Sequence, residues 1–326
     1  RVKFQVSIDG ATPAINDPIR GAGSFEAAVA GLGELAQRGF DVTITTVATG
    51  GNLQDLPDIT RLAASCGVKS QHLMWMHRRG RVTEGQNGWS HALAGAAGGN
   101  LSAGQTGPSG HSQGVGWFPE IGRLIEAVRA VKREADRLGL TLDNAASFEL
   151  RANAPPRTKF DLGNAGWQSL CVYADGHVYP SAALANHKPL DCGDVTNGAT
   201  LERVWRMSPI LQEIREASVV RKARTRRDPF RYLTGGGDVE HSYFFSGSFL
   251  GEDPYDPLYH ALLLDAMDAL TARKVALVNR RCGYDAPRIY HAMGDGAFVC
   301  GTSELGASDV EVAFLHSNCV LSFDVE

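Results

Sequence analysis

Polar side chains suited to holding a small charged molecule lie close together near the start of the chain. Residues 2–6 have the apolar and β-branched character of a strand, and they lead directly into Ser7, Asp9 and Gly10. Arg20 follows, and an arginine can bind the carboxylate of a zwitterionic ligand through two parallel hydrogen bonds. A purely structural role is the alternative, because serine often ends a strand and Asp-Gly often forms a turn.

The elements that must position these side chains form a repeated strand–helix pattern. Ser24 can cap a helix whose apolar residues recur every three or four positions until a glycine ends it. Residues 42–47 are typical of a second strand, residues 56–65 of a second helix and residues 71–77 of a third strand. Asn52 lies in the loop after the second strand. This pattern predicts an α/β fold with a parallel sheet or barrel, whose functional residues follow the carboxyl ends of the strands.

Residues 6–39 also resemble a known family. Their sequence, VSIDGATPAINDPIRGAGSFEAAVAGLGELAQRG, is similar to the fourth strand and following helix of radical S-adenosylmethionine (SAM) enzymes of the SPASM-containing branch. The resemblance implies that Ser7 and Arg20 contact the amino acid or ribose part of SAM, and that Asn52 is a third candidate. Asp9 belongs to the same cofactor site, where it either contacts SAM or braces the loop. The resemblance assigns no catalytic residue.

The cysteines that would bind this family's 4Fe–4S cluster are missing from the sequence. The family spaces them C-x3-C-x2-C upstream of the matching strand, whereas Cys66 is the only cysteine in the first half of this chain. A cluster needs several thiolates held close together. We therefore expect the chain to be a fragment carrying the C-terminal half of the barrel, with the ligands of the cluster elsewhere in the full-length protein.

A second segment resembles the SPASM extension, an α+β module that usually binds auxiliary iron–sulfur clusters. Residues 171–180 predict a hairpin with Asp-Gly at its turn, and a tryptophan-containing helix follows. Ser181, however, stands where the family has a cysteine. The family's later C-x2-C-x5-C-x3-C run is matched by Thr225, Asp228, Thr234 and Asp238. Hydroxyl groups do not replace thiolates on a cluster, so the sequence predicts no metal ligands and no auxiliary clusters in this module.

One histidine-containing group of residues and one separate histidine allow alternative interpretations. Asp238, Glu240 and His241 follow three glycines and have the ligand types of a metal or substrate site. The sequence favours instead a turn that ends in a helix capped by Asp238, because no second cluster of ligands is recognisable by its spacing. His77, at the end of the third strand, could relay protons or could simply be a hydrogen-bonded core histidine.

Composition and charge exclude some classes of function. The formal net charge of -4 at pH 7 gives no basic field for nucleic acid, and the basic run at residues 221–227 is typical of a solvated face. No apolar stretch is long enough to cross a membrane. Six scattered cysteines indicate a reducing compartment, so we expect a cytoplasmic protein. The resemblance implies a peptide or small-molecule substrate and a reductant protein of the flavodoxin or ferredoxin type.

The same patterns divide the chain into five parts. The predicted parts are half of a radical SAM-like barrel (1–82), a glycine-rich connection (83–118), a helix closing the barrel (119–150), a SPASM-like module without its cysteines (151–250) and an unassigned α+β tail (251–326). Glycine-rich composition is consistent with a flexible connection or with a lid over the barrel mouth.

Three functions remain open at the level of sequence. The resemblance implies a radical SAM enzyme that cleaves SAM reductively and abstracts hydrogen from its substrate, although this fragment alone is expected to be inactive. A degenerate, non-catalytic binding or scaffold protein would keep the fold and lose the clusters. An ordinary barrel aldolase or hydrolase has the least support, because the chain shows no positioned lysine, nucleophile pair or metal constellation.

Overall fold

The computed structural model describes residues 2–79, 117–155 and 157–273, and the backbone of four short strands beyond them. The predicted glycine-rich connection lies outside the described residues except for residues 117–118. The strands are β1 (Lys3–Ser7), β2 (Asp41–Ala48), β3 (Ser70–Trp75), β4 (Thr141–Leu142), β5 (Cys171–Val172), β6 (His177–Tyr179), β7 (Gly193–Asp194), β8 (Arg288–Ala292), β9 (Phe298–Thr302), β10 (Glu311–Ala313) and β11 (Ser322–Asp324). The α-helices are α1 (Pro13–Arg20), α2 (Ser24–Gln37), α3 (Leu56–Ser65), α4 (Ile121–Leu138), α5 (Asp143–Ala152), α6 (Leu201–Met207), α7 (Pro209–Glu216), α8 (Arg231–Thr234), α9 (Val239–Ser246) and α10 (Asp256–Arg273).

The first part of the chain forms a parallel sheet in the order β1-β2-β3-β4. Ser7 of β1 is in register with Thr45 of β2, and Val47 of β2 is in register with Met74 of β3. Strand β2 is rich in β-branched residues and pairs on both sides, as expected for a strand between two helix-covered faces. The predicted parallel α/β arrangement is therefore confirmed, and the carboxyl ends of β1, β2 and β3 lie at one edge.

An unexpected helix separates β1 from α2. The sequence predicted a loop that carries Arg20, whereas the structure has α1 there with Arg20 as its last residue. Pro13 fits the first turn, where no backbone donor is needed, and Pro18 removes only one hydrogen bond from so short a helix. The loop prediction was wrong because two prolines and an Asn-Asp pair have the composition of a turn.

Helix α4 covers the sheet as the predicted amphipathic helix. It begins two residues after Pro119, because the Glu120 carboxylate accepts hydrogen bonds from the backbone nitrogens of Gly122 and Arg123. It ends at Gly139, which has the left-handed conformation. Its buried residues recur every three or four positions and face the core, namely Leu124, Val128, Val131 and Ala135.

Helix α10 belongs to the same hydrophobic core as the parallel sheet. Leu258 and Leu263 are fully buried there, and Asp265 forms an ion pair with Arg129 of α4, with Nε and Oδ2 2.9 Å apart. The helix lies in the segment predicted as an unassigned tail. The division into five parts stays a prediction, but the first residues of that tail help to cover the barrel-like half.

A second, smaller core organises the region predicted to be SPASM-like. The predicted hairpin is present as β5 and β6, with β7 added antiparallel to β6. Gly176 closes the turn at a φ of +90°, where a Cβ would lie 2.2 Å from the methyl group of Thr196. The buried apolar residues of this core include Leu162, Leu184, Leu190, Ile214, Val239 and Phe249.

Backbone pairing alone is described near the end of the chain. Strand β8 pairs antiparallel with β9, and β10 pairs antiparallel with β11. The side chains of Cys282, Cys300 and Cys319 lie outside the described residues. Within the described part of the chain, no helix is long and apolar enough to cross a membrane.

The packing of α10 predicts a stability difference between two leucines on one helix. Leu258→Ala should lower the free energy of unfolding by about 2–5 kcal/mol, because it leaves a cavity in the first core. Leu264→Ala is the matched control, since Leu264 is 48% exposed, and it should change that free energy by less than about 0.5 kcal/mol. Urea unfolding of both variants measures the difference. Equal effects would show that α10 does not share this core.

Candidate functional site

Asp9 lies at the carboxyl end of β1 and connects three elements. It is only 2% exposed. One carboxylate oxygen, Oδ1, accepts a hydrogen bond from the backbone nitrogen of Val47 at 2.8 Å. The other, Oδ2, lies 2.8 Å from Nε of Arg20. The carboxylate therefore joins the end of β1 to β2 and to the last turn of α1.

Two buried asparagines hold the backbone around Asp9. Asn52 donates from Nδ2 to the carbonyl oxygens of Asp9 and Val47, each at 2.9 Å, and accepts from the backbone nitrogen of Thr49 at 2.8 Å. Asn16 accepts from the backbone nitrogen of Asp9 at 2.9 Å. Both donors of the Asn52 amide are thus used within the protein, which suits a positioning role.

Gly10 explains why a glycine follows Asp9. A Cβ at this position would lie 2.6 Å from the backbone nitrogen of Asn16, closer than real contacts allow. The start of α1 therefore packs directly on the Gly10 backbone. This contact brings Asn16 under Asp9 and aims the end of α1, with Arg20, toward the Asp9 carboxylate.

Asp17 fixes the junction between α1 and α2. Its carboxylate accepts from the backbone nitrogens of Gly23 and Phe25 at 2.8 and 3.0 Å, and from Ser24 Oγ at 3.1 Å. These hydrogen bonds lower the pKa of Asp17, although desolvation opposes them. The sequence predicted Ser24 as the cap of α2, but Ser24 is the first helical residue and Asp17 supplies the acceptor instead.

The guanidinium of Arg20 is the polar group of this site that remains available to a ligand. Only its Nε is engaged, by Asp9, and the side chain is 29% exposed. Among the described residues, no group accepts a hydrogen bond from its two terminal nitrogens. A guanidinium that is anchored through Nε can still present both terminal nitrogens to a carboxylate.

Ser7 ends β1 two residues before Asp9 and is half-buried. It is bound to neither Asp9, Arg20 nor Asn52 by a described side-chain contact. The structure thus brings three of the four predicted residues into one hydrogen-bonded network and places Ser7 on the adjoining strand end. The sequence analysis missed Asn16 and Asp17, which only the short helix α1 brings beneath the site.

A second polar site lies where the carboxyl end of β3 meets the second core. We call Asp238, Glu240, His241 and Asp253 the buried acid–histidine cluster; all four are at most 6% exposed. His241 Nδ1 is 3.2 Å from Asp253 Oδ2, and Asp238 caps α9 by accepting from the backbone nitrogen of Glu240 at 2.7 Å. The ring of His77 lies 4.6 Å from that of His241.

Burial and charge shift the pKa values of this cluster strongly. Desolvation, reinforced by the Asp238 carboxylate, raises the pKa of Glu240 to about 8. Burial acts to lower the pKa of His241, but the Asp253 carboxylate outweighs it and raises the value to about 9. Burial and the neighbouring His241 lower the pKa of His77 to about 3. The capping role predicted for Asp238 is confirmed, and His77 is neutral at neutral pH.

Comparison with known proteins gives several related sequences. No protein-family model matches the chain. The mycofactocin maturase MftC of Mycobacterium ulcerans strain Agy99 is 26% identical over 219 residues, which are 66% of this chain and 50% of the relative. The corresponding maturase of Mycolicibacterium smegmatis is 43% identical over 221 residues, 66% of this chain and 47% of the relative. The AdoMet-dependent heme synthase of Nitratidesulfovibrio vulgaris Hildenborough is 25% identical over 264 residues, 77% of this chain and 64% of the relative.

Solved structures share the fold. The enzyme anSMEcpe with bound AdoMet superimposes with a TM-score of 0.59 at 10% identity, over 86% of this chain and 68% of that chain. Its complex with AdoMet and the Kp18Cys peptide gives a TM-score of 0.56. The resemblance to radical SAM enzymes of the SPASM-containing branch is confirmed. The chain spans about half the length of the first curated relatives that it matches.

The described residues do not fit the iron–sulfur clusters of radical SAM enzymes. The described cysteines Cys66, Cys171 and Cys192 are free thiols, and Cys66 caps the end of α3, away from the other two in the chain. No set of three metal-ligating groups in the described part of the chain contains a cysteine. We therefore derive no chemistry from a cluster held by these residues.

The positions that match the family's auxiliary cysteines carry hydrogen-bonded polar groups instead. Ser181 donates to the Glu240 carboxylate, and Thr225 donates to the Glu252 carboxylate at 2.5 Å. Lys222, inside the basic run predicted to be solvated, is fully buried and donates to Gly236 O and Ser242 Oγ, each at 2.8 Å. The prediction of a solvated face was wrong for this lysine.

The buried acid–histidine cluster predicts a stability that falls as the pH rises. Glu240 and His241 bind their protons more tightly in the folded protein than at their ordinary pKa values of 4.5 and 6.5. The folded state therefore holds more protons, and the free energy of unfolding should decrease from pH 6.5 to 9. Below pH 6.5 the lowered pKa of His77 makes the free energy of unfolding rise with pH, which opposes this trend. The measurement therefore starts at pH 6.5.

Glu240→Gln should remove part of this pH dependence. The variant cannot ionise, so the slope between pH 6.5 and 8 should become shallower by about 1 kcal/mol per pH unit. Glu213→Gln, at an exposed position of α7, is the matched control and should leave the slope unchanged. Urea unfolding across this pH range tests the prediction. A slope that is the same in the wild type and Glu240→Gln would contradict it.

Proposed function

We propose that this chain forms part of a radical SAM enzyme that modifies a peptide or small-molecule substrate. The available Arg20 guanidinium, held by Asp9 at the carboxyl end of the parallel sheet, is the observation that carries the proposal. The related maturases and the peptide-bound anSMEcpe structure support a peptide as the substrate. In such an enzyme, SAM bound to a 4Fe–4S cluster supplies the radical that abstracts hydrogen from the substrate. The cluster would be held by residues other than those described.

Arg20 is the group we expect to bind the carboxylate of SAM. Its terminal nitrogens donate to no described acceptor, whereas its Nε is fixed by Asp9. The side chain would therefore lose little conformational freedom when it binds SAM. Ser7, at the adjoining strand end, would contribute a hydroxyl to the amino acid or ribose part. Asp9 and Asn52 would act as positioning residues, because their polar atoms are occupied within the protein.

His77 and the buried acid–histidine cluster have a supporting role in this proposal. They lie beneath the end of β3, and the Tyr255 hydroxyl donates to the carbonyl oxygen of Met76 at 2.8 Å. There a neutral His77 packs against a protonated His241. An electron donor of the flavodoxin or ferredoxin type is a further proposed partner, since reductive cleavage needs one electron from outside.

The role of Arg20 can be tested by measuring SAM affinity. Arg20→Ala in the purified whole gene product should weaken SAM binding by about tenfold or more, as expected for loss of a charge-assisted contact. Arg38→Ala, which removes an arginine at the exposed end of α2, is the control and should bind normally. Equilibrium dialysis with labelled SAM gives both constants. An Arg20→Ala variant that folds and binds SAM as tightly as the wild type would remove Arg20 from the site.

Iron content tests how many clusters the protein holds. Anaerobic reconstitution of the whole gene product should give about four irons per chain, one cluster, because the auxiliary positions carry hydroxyls and carboxylates. Eight or more irons would contradict this interpretation of Ser181 and Thr225. No iron together with no SAM binding would instead support the alternative of a degenerate binding or scaffold protein.

A further inference from the structure

Two carboxylates and an imidazole converge beside the start of α10. Asp228 follows a 3-10 turn, Asp256 begins α10, and His260 lies one helical turn later. One potential ligand atom from each residue lies within 4.8 Å of those of the other two. His260 Nε2 is 2.5 Å from Asp228 Oδ2 and 3.9 Å from Asp256 Oδ2. Residues four apart on a helix share one face, so α10 supplies two of the three groups from the same side.

Hydrogen bonds from the described part of the chain do not satisfy every carboxylate oxygen of this group. Asp228 Oδ2 and Asp256 Oδ1 are enclosed by protein, yet neither accepts a hydrogen bond from a described residue. His260 Nε2 approaches Asp228 Oδ2 closely without the alignment of a hydrogen bond. Buried carboxylate oxygens without a donor are costly, and a cation between the three groups would satisfy them.

Two other histidine–aspartate pairs among the described residues differ in this respect. His72 with Asp143 and His177 with Asp191 form ordinary hydrogen bonds through Nδ1, at 2.8 and 2.6 Å. Neither pair belongs to a set of three converging ligands in the described residues. The group at α10 therefore differs from these pairs in two ways. It has a third potential ligand, and the close contact between His260 and Asp228 is not an ordinary hydrogen bond.

Among the described residues, only the imidazole of His260 pairs with these carboxylates. Arg231 donates to the backbone carbonyl of Asp228 and not to its carboxylate, and Lys222 is engaged by Gly236 and Ser242. No lysine or arginine of the described part lies within ion-pair distance of Asp228 or Asp256.

We propose that Asp228, Asp256 and His260 bind a divalent first-row metal ion such as Zn2+ or Mn2+. Carboxylate and imidazole ligands suit these ions, and three protein ligands leave positions for water. The three side chains are between 14% and 29% exposed, so the ion can enter from solvent. The site is separate from the network around Asp9, and the inference does not depend on the proposed function.

The ion would join the start of α10 to the segment that precedes α8. Phe230 of that segment and Leu233 of α8 pack against the same core as α10, so the ion would add a polar link to an apolar contact.

Metal binding to the whole chain tests this inference. After removal of metal with a chelator, equilibrium dialysis against Zn2+ and, separately, Mn2+ should give one bound ion per chain. Asp228→Asn and His260→Gln should each weaken binding by about tenfold or more, since each removes one of three ligands. His177→Gln disrupts a histidine–aspartate pair without a third ligand and should bind as the wild type does. Mn2+ is included because it does not favour thiolates, which excludes binding by free cysteines.

The outcomes separate the proposal from its alternatives. Bound Mn2+ should change its electron paramagnetic resonance spectrum in the wild type and in His177→Gln, but not in His260→Gln. Asp256→Asn gives a second ligand variant if His260→Gln fails to fold, which circular dichroism would show. Failure of the wild type to bind either ion, or equal binding by the wild type, Asp228→Asn and Asp256→Asn, would overturn the proposal.

Discussion

The polar network at the carboxyl end of the parallel sheet depends on the two interactions of the Asp9 carboxylate. This carboxylate is buried, so it must be paired, and its partners come from β2 and α1. Removing Arg20 would leave this buried carboxylate without its counter-charge. The resulting geometry decides which group is available to a ligand. Both oxygens of Asp9 are occupied, whereas the terminal nitrogens of Arg20 have no acceptor in the described part of the chain.

The same requirement, that buried polar groups find partners, governs the second core. At positions where the sequence predicted replaced cluster cysteines, this chain has Ser181, Thr225 and Asp238, each hydrogen-bonded to a protein group. Ser181 reaches Glu240, and Lys222 reaches Gly236 and Ser242, so one buried cation stands among several acids. Such a network is stable only when every member is satisfied. Protonation of Glu240 is one way in which the protein meets that condition.

Local sequence predicted the parts of the fold that follow local rules. Helix α3 has the predicted bounds, and the Asp-Gly turn between β5 and β6 and the cap at Asp238 were also predicted, because each depends on neighbouring residues. Contacts between distant segments were not predicted. The pairing of Asp9 with Arg20 depends on α1, whose composition is typical of a loop. Burial of Lys222 depends on the Gly236 and Ser242 acceptors, and nothing in its basic neighbourhood distinguishes it from the exposed arginines beside it.

Tyr255 shows how the two cores form one unit despite their different chemistry. Its hydroxyl binds the backbone of Met76 after β3, its ring contacts that of His241 at 4.9 Å, and its backbone nitrogen donates to Asp253. One residue thus touches the end of the sheet, the buried acid–histidine cluster and the start of α10. Because burial and Asp253 raise the pKa of its hydroxyl, the hydroxyl remains a donor over the whole physiological range. The link between the sheet and the second core therefore persists even when the charge on Glu240 changes.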